Sequence, residues 1–303
     1  MPDLQNPETF RAILDSLQIG VYLVDRNRKI LYWNDGAEQI TGYHRHEVVG
    51  RSCKQNILMH CDEHGCVLCG TNCPVSEVIH QGKPMEAQVY LHHKGGHRVP
   101  VHVRAVPVRD DNGMVIGVAE SFSEEPPQVS SESHEERLAA CGCLDVTTGV
   151  PHHQFTQFHL RQQLAVFCEF RLPFGVMCIQ IEQLQHVAET HGREAAKVMS
   201  HVVAQSMKHI LGPAAFLGRW TEDRFLVILP DCNRAELEKI GENLQKIIGH
   251  SGIQWWDDYL EVTISRGTTM SLSEDTVESL VRRAEQGLDP ADPVVGALHR
   301  AEK

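Results

Sequence analysis

The sequence predicts an α+β protein of two domains, each built on an antiparallel sheet with accompanying helices. Three observations predict it. Alternating apolar runs closed by turn residues fill the first third of the chain. A Ser-, Glu- and Pro-rich stretch, SFSEEPPQVSSESHEER (121–137), then interrupts the apolar pattern as a linker does. Beyond it, strand-like and helix-like stretches alternate around a hairpin in mid-domain. With 303 residues, 42% apolar and 22% charged, the chain is long enough and apolar enough for two cores of ordinary size. The expected division is 1–124, a linker at 125–137, and 138–303.

In chain order, an amphipathic stretch from Pro7 to Leu17 predicts a helix. GVYLVDRNRKILYWN follows as two apolar runs split by the turn-forming Asp25 to Arg28, a hairpin signal. MEAQVYLHHKGGHRVPVHVRAVPVRDDNGMVIGVAESF then gives three alternating stretches, separated at Lys94-Gly95-Gly96 and at Asp110 to Gly113. After the linker a helix is expected near Glu135 to Cys141, and LDVTTGVPHHQF turns at Gly149 and Pro151. Helices are expected over Phe155 to Glu169, Arg193 to Leu211, Arg234 to Gly249 and Asp275 to Gln286, with FGVMCIQIE and LEVTISRGTT as strands. Because the hairpin sits mid-domain, antiparallel pairing with helices on one face is preferred to a doubly wound sheet. No solenoid repeat is present.

The formal charge of −12 opposes nucleic acid and anionic lipid, so neither is an expected partner. The start, MPDLQNPETFRAILDSLQ, lacks a basic, then apolar, leader, and no segment offers about 18 consecutive apolar residues, so a cytoplasmic protein is expected.

The hairpin GRWTEDRFLVILP (218–230) places Arg219, Thr221, Glu222, Asp223 and Arg224 where a tight turn usually wants glycine or asparagine. Thr221, β-branched, is especially poor at positive φ. This stretch stands in a larger pattern. AILDSLQIGVYLVDRNRKILYWN, ITGYHRHEVVG and LHHKGGHRVPVHVRAVPVRDDNGMVIGVAESF, in that order, resemble the PAS sensor family over residues 7–124. LDVTTGVPHHQF, HVAETHGREAAKVMSHVVAQ, RWTEDRFLVILP and VTISRG resemble the GGDEF family, the diguanylate cyclases, over residues 138–288. The resemblance implies a PAS fold followed by a nucleotide-cyclase-like fold, an antiparallel-rich sheet surrounded by helices.

It also implies the condensation of two GTP molecules, each 3′-hydroxyl attacking an α-phosphate with divalent-metal assistance. That chemistry needs carboxylates to hold the metal and glycines that let backbone approach the nucleotide. Here the two glycines are Thr221 and Glu222, Asp223 keeps the third position, and the fourth is Arg224. The family's first-strand metal-binding Asp falls at Gln180, with Glu182 at the second acidic position. Its guanine-contacting residues fall at Ala188 and Lys197, and its product-binding motif at Gly212 to Ala215. The expectation is a degenerate cyclase with no catalytic residues.

Half of the ten cysteines lie in CKQNILMHCDEHGCVLCGTNCP as C-x7-C-x4-C-x2-C-x3-C: Cys53, Cys61, Cys66, Cys69 and Cys73. Thiolates at such spacings can converge on zinc or an iron–sulfur cluster, with His60 and His64 as imidazole options. Buried or surface thiols and reversible disulfides are the other readings of the same stretch. Cys141 and Cys143 are expected as small buried residues at a helix end, with a redox or dimer contact as the alternative, Cys168, Cys178 and Cys232 in the core, and Trp255 and Trp256 packed on a sheet. A PAS cavity also accepts haem, flavin or a metabolite, for which His44 or His80 are the candidate haem ligands; the residues do not select among them. The resulting expectation is a homodimeric signalling protein. Its PAS domain senses a ligand, metal or redox state, and its inactive GGDEF domain passes the signal to a protein partner. An active diguanylate cyclase, and a thiol-redox protein using Cys66 and Cys69, are the alternatives.

Overall fold

The computed structural model describes residues 6–53, 55, 57–69, 72–124 and 138–289. The chain divides into two compact units, Met1–Glu125 and Pro126–Lys303. The linker at 125–137, the first residues of the helix expected from Glu135, and residues 290–303 lie outside the described residues.

In the first unit, helix α1 (Pro7–Asp15) starts at Asn6, whose side chain accepts from the Glu8 N–H, with Pro7 in the first turn where its missing donor costs nothing. Strands β1 (Gly20–Asp25) and β2 (Ile30–Trp33) form the first hairpin. Its turn is fixed by Asp25 Oδ1, which accepts from the N–H groups of Asn27 at 2.8 Å and Lys29 at 2.9 Å. Strands β3 (Met85–His92), β4 (Arg98–Arg109) and β5 (Val115–Glu124) follow, and the antiparallel order is β2-β1-β5-β4-β3. The first and last strands therefore pair at the centre of the sheet. Helices α2 (Asp35–Thr41), α3 (Arg45–Val48) and α4 (Pro74–Gln81) lie between β2 and β3. Their Ile40, Val48, Val75 and Val78 pack with Tyr22, Trp33, Val103, Val118 and Phe122 of the sheet in one core.

Asn34 joins these parts. It is fully buried, its Oδ1 accepts from the Val21 and Ala37 N–H groups at 2.7 and 2.8 Å, and its Nδ2 donates to the Leu14 and Ile19 carbonyls at 2.8 and 2.9 Å. One amide thus caps α2, ties it to β1, and holds the chain between α1 and β1.

In the second unit, helix α5 (His153–Phe170) precedes strand β6 (Phe174–Ile181). Helices α6 (Leu184–Thr190) and α7 (Arg193–Ile210) follow, and then the hairpin of β7 (Phe216–Arg219) and β8 (Arg224–Pro230). Helix α8 (Arg234–Ile248), the ribbon β9 (Gly252–Trp255) with β10 (Asp258–Glu261), strand β11 (Ile264–Met270) and helix α9 (Val277–Gln286) complete it. The main sheet has the order β11-β6-β8-β7, every neighbouring pair antiparallel. Met177, Ile179, Phe225 and Val227 pack with α6, α7 and α8, whereas Val176, Cys178, Leu226 and Ile228 pack with α5 and α9.

Helices thus cover both faces, which corrects the one-face expectation from the hairpin and agrees with the arrangement implied by the resemblance. The reason is visible in β6: FGVMCIQI is apolar at consecutive positions, and a strand buried on both faces needs no alternation. Gly218 on β7 has a packing role, since a Cβ there would lie 2.0 Å from Thr156 Oγ1 on α5. Three smaller expectations also change. Cys168 and Cys141 are exposed, not in a core. Trp256 is 87% exposed, turned outward at a φ of 52° between β9 and β10, while Trp255 is half-buried against the core.

Replacing Asn34 by Ala leaves several buried backbone groups without partners. It should lower the stability of the first unit by about 3 kcal/mol, read from the urea midpoint of its unfolding transition; an unchanged midpoint contradicts the role assigned to this amide.

Candidate functional site

The hairpin tip is built from two strand ends. The β6–β8 register pairs Gln180 with Arg224, and the β11–β6 register pairs Ser265 with Gln180. Even-numbered side chains of both strands face α9, so Gln180 and Arg224 point the same way. There Arg224 Nε donates to Gln180 Oε1 at 3.2 Å and Nη1 to Glu285 Oε1 at 2.9 Å, while Asp223 Oδ2 lies 4.0 Å from Nε. A guanidinium engaged by two side chains occupies the place that the resemblance gives to acids.

The tip itself is closed by Arg219. Its Nε donates to the Thr221 carbonyl at 3.1 Å, Nη2 to the Glu222 carbonyl at 2.7 Å and Nη1 to Asp145 Oδ1 at 3.0 Å. The Thr221 hydroxyl donates to Asp223 Oδ1 at 2.7 Å. None of residues 219–224 has a positive φ. The chain avoids the strain expected of Thr221 by widening the turn, with Trp220 and Thr221 N–H both reaching the Arg224 carbonyl. Asp145 Oδ1 also accepts from Thr147 N, Thr148 N and the Thr148 hydroxyl. Burial pushes the Asp145 carboxyl up, but the Thr148 hydroxyl and the Arg219 guanidinium outweigh it and hold it below the usual aspartate range.

The other predicted positions are placed as follows. Glu182 is exposed and accepts from the Ser265 hydroxyl. Ala188 packs against the core, and Lys197 pairs with Glu194 at 2.7 Å on the surface of α7. Gly212 to Ala215 forms a turn, the Ala215 N–H donating to the Gly212 carbonyl at 3.0 Å. Among the described residues no group of three or more His, Cys, Asp or Glu side chains is arranged to hold a metal ion.

A second polar centre lies inside the first unit. Glu120 on β5 is 1% exposed; it accepts from the Tyr22 hydroxyl at 2.9 Å and lies 4.0 Å from His60 Nε2. Burial raises the Glu120 carboxyl to about 7, against the lowering effect of the Tyr22 hydrogen bond. Burial, with the Arg98 charge, lowers His60 to about 4, so the imidazole is neutral at neutral pH. Beside them a cavity of about 10 Å³ is lined by Tyr22, Arg28, Cys53, Leu58, His60, Cys69 and Cys73. The structure thereby divides the five cysteines. Cys53, Cys69 and Cys73 share this cavity, Cys61 lies between backbone bridges to Val67 and Tyr90, and Cys66 is exposed. His64 is exposed beside Glu63. Neither His44, which bonds Glu38, nor His80, which bonds the Ser76 carbonyl, lines the cavity.

Sequence reasoning missed Glu285, Asp145 and Glu120. Glu285 and Asp145 join the tip from distant elements and gave no local signal. Glu120 did give one: it alternates with Val118 and Phe122, an acid at an inward position of an apolar strand.

The lowered Asp145 carboxyl contributes stability that is present above the ordinary aspartate range and is lost as pH falls through its folded value. Asp145→Asn should therefore destabilise the second unit by about 1.5 kcal/mol at pH 7, with the gap from the parent narrowing as the pH is taken down through the acid range below the ordinary aspartate value. Denaturation at pH 7 and in that acid range checks it, and an equal gap at both contradicts it.

Comparison with known proteins places these sites in a family. A family model described as "PAS domain" matches residues 18–124, and one described as "Diguanylate cyclase, GGDEF domain" matches residues 143–293. The chain is 23% identical over 273 residues to the "Probable diguanylate cyclase DgcE" of Escherichia coli strain K12, covering 88% of this chain and 23% of that protein. It is 22% identical over 156 residues to "Diguanylate cyclase DgcP" of Pseudomonas aeruginosa, covering 52% and 23%. The chain spans less than a third of the length of the curated relatives it matches. Similar solved structures include diguanylate cyclase SiaD with its activator SiaC from Pseudomonas aeruginosa, at 20% identity, a TM-score of 0.48 and coverage of 52% and 61%. The PAS domain of a Colwellia psychrerythraea protein aligns at 19% identity, a TM-score of 0.34 and coverage of 39% and 95%. Among the described residues no helix is long and apolar enough to cross a membrane. A PAS domain over residues 18–124, followed by a GGDEF domain over residues 143–293, makes this chain a member of the PAS–GGDEF family of signal-transduction proteins.

Proposed function

We propose that the GGDEF domain does not condense GTP and instead passes a signal, received by the PAS domain, to other proteins through direct contact, the chain acting as a homodimer. The observation that carries this reading is Arg224. The reaction implied by the family needs two acids near one cation, and this chain offers Gln180 and Arg224 at those strand positions, hydrogen-bonded to each other and to Glu285. An acid replaced by a guanidinium changes the local charge by two units. One unit pair about 4 Å apart is worth on the order of 4 kcal/mol at an effective dielectric near 20, roughly three decades in affinity or rate. Arg219 adds to this by binding the tip carbonyls, and the side chains of Thr221 and Glu222 stand where bare backbone would approach a nucleotide.

The competing reading is that the chain makes cyclic di-GMP from two GTP, as the names of its relatives suggest for them. Asp223, Glu182 and Glu222 are the acids it would use. The two separate in one assay. The chain incubated with GTP and magnesium or manganese should yield no cyclic di-GMP by chromatography above a protein-free control, and time-dependent product contradicts the proposal. The paired change Gln180→Asp with Arg224→Glu should raise manganese affinity at the tip by about a thousandfold, read by electron paramagnetic resonance. An unchanged affinity would mean that charge at these positions is not what excludes the cation.

A further inference from the structure

We propose that Cys53, Cys69, Cys73 and His60 bind one divalent transition-metal ion of the zinc class inside the first unit. The inference does not depend on whether the second unit is a catalyst. Its first support is convergence. Cys53 follows the turn after α3, Cys69 lies in the loop before α4, and Cys73 is the residue that caps α4, yet all three line the same cavity as His60. The segment is folded so by backbone bonds: the Cys53 N–H donates to the Arg28 carbonyl at 3.0 Å, and the Leu68 N–H to the His60 carbonyl at 2.8 Å, bringing Cys69 alongside His60.

The second support is an unsatisfied group. His60 is 3% exposed and its Nε2 has no hydrogen-bond partner. A buried imidazole nitrogen in that condition needs an explanation, and a ligand in the cavity it lines supplies one. The Cys73 side chain makes no capping hydrogen bond to α4.

The chemistry of the donors selects the class of ion. Three sulfurs and one imidazole nitrogen suit tetrahedral zinc and disfavour magnesium or calcium, which take oxygen. The cavity, about 10 Å³, has room for one water-sized sphere and so for one ion, not a multinuclear cluster. As they stand, these side chains are not arranged to hold a metal ion. Holding one requires the three thiols to release their protons to solvent and turn their Sγ atoms inward, leaving an ion with three thiolates and a net charge of minus one. Arg28 lines the same cavity, its Nη1 donating to the Cys69 carbonyl at 3.3 Å, and its charge offsets that excess.

The test uses the full chain, purified reduced and titrated with zinc and, separately, cobalt. One equivalent of zinc per chain is expected by mass spectrometry, and cobalt should give thiolate charge-transfer and tetrahedral ligand-field bands. Cys53→Ser, Cys69→Ser and Cys73→Ser should each weaken binding by at least the about 10–100-fold of an outer-shell change. Cys61→Ser and Cys66→Ser should leave it intact. His60→Cys should keep the ion and shift the cobalt spectrum toward four-thiolate coordination, a readout that does not depend on the serine variants folding. The proposal is overturned by a chain that binds no stoichiometric ion or that holds an iron–sulfur cluster with acid-labile sulfide. Equal loss of the ion in Cys66→Ser, or an unchanged spectrum in His60→Cys, overturns it as well.

Discussion

Burial of β6 on both faces is the constraint on which the second unit depends. A strand with Met177 and Ile179 on one side and Val176 and Cys178 on the other must be covered twice, so α6, α7 and α8 pack on one face of the sheet and α5 and α9 on the other. The same strand carries Gln180, half-buried, next to its last residue Ile181. With β8 alongside in fixed register, the residue opposite Gln180 is Arg224, and α9, which covers that face, brings Glu285 to Arg224. The core therefore determines which polar groups meet at the hairpin.

A polar cluster so placed has a physical consequence for any nucleotide chemistry there. The guanidinium is partly buried and satisfied by neutral and acidic oxygens, so it has little reason to move aside for a cation, and a cation brought near it meets like charge. The opposite tendency appears in the first unit, where polar groups are buried with too few partners. Glu120 and His60 both keep a side-chain atom without a hydrogen bond, and burial favours the neutral form of each. One unit thus satisfies the polar groups at its hairpin with other protein groups, while the other leaves groups that a small ligand would satisfy.

Much of this was readable before the structure. The paired strands of the first unit follow from turn residues whose side chains hold their own backbone: Asp25 and Asp110 each accept two nearby N–H groups, a local device that leaves a local trace. The amphipathic helices of the second unit were plain for the same reason. The two-sided covering of its sheet was in the sequence too, in the uninterrupted apolar run of β6, but was outweighed by the position of the hairpin. What could not be read was convergence across distance. Asp145 reaches Arg219 over 74 positions and Arg224 reaches Glu285 over 61, and the spacing of cysteines in a loop says nothing about which three share a cavity. Trp256 shows the converse limit: a large apolar side chain is expected inside, and a turn with positive φ carried it outward.

The central reading, that the hairpin cannot gather a cation and a triphosphate, is tested most directly by binding, with turnover set aside. Titration calorimetry of the full chain with a non-hydrolysable GTP analogue, in excess magnesium and again without it, should give no saturable heat in either case. Saturable binding that requires magnesium and is abolished by Asp223→Asn would contradict the account.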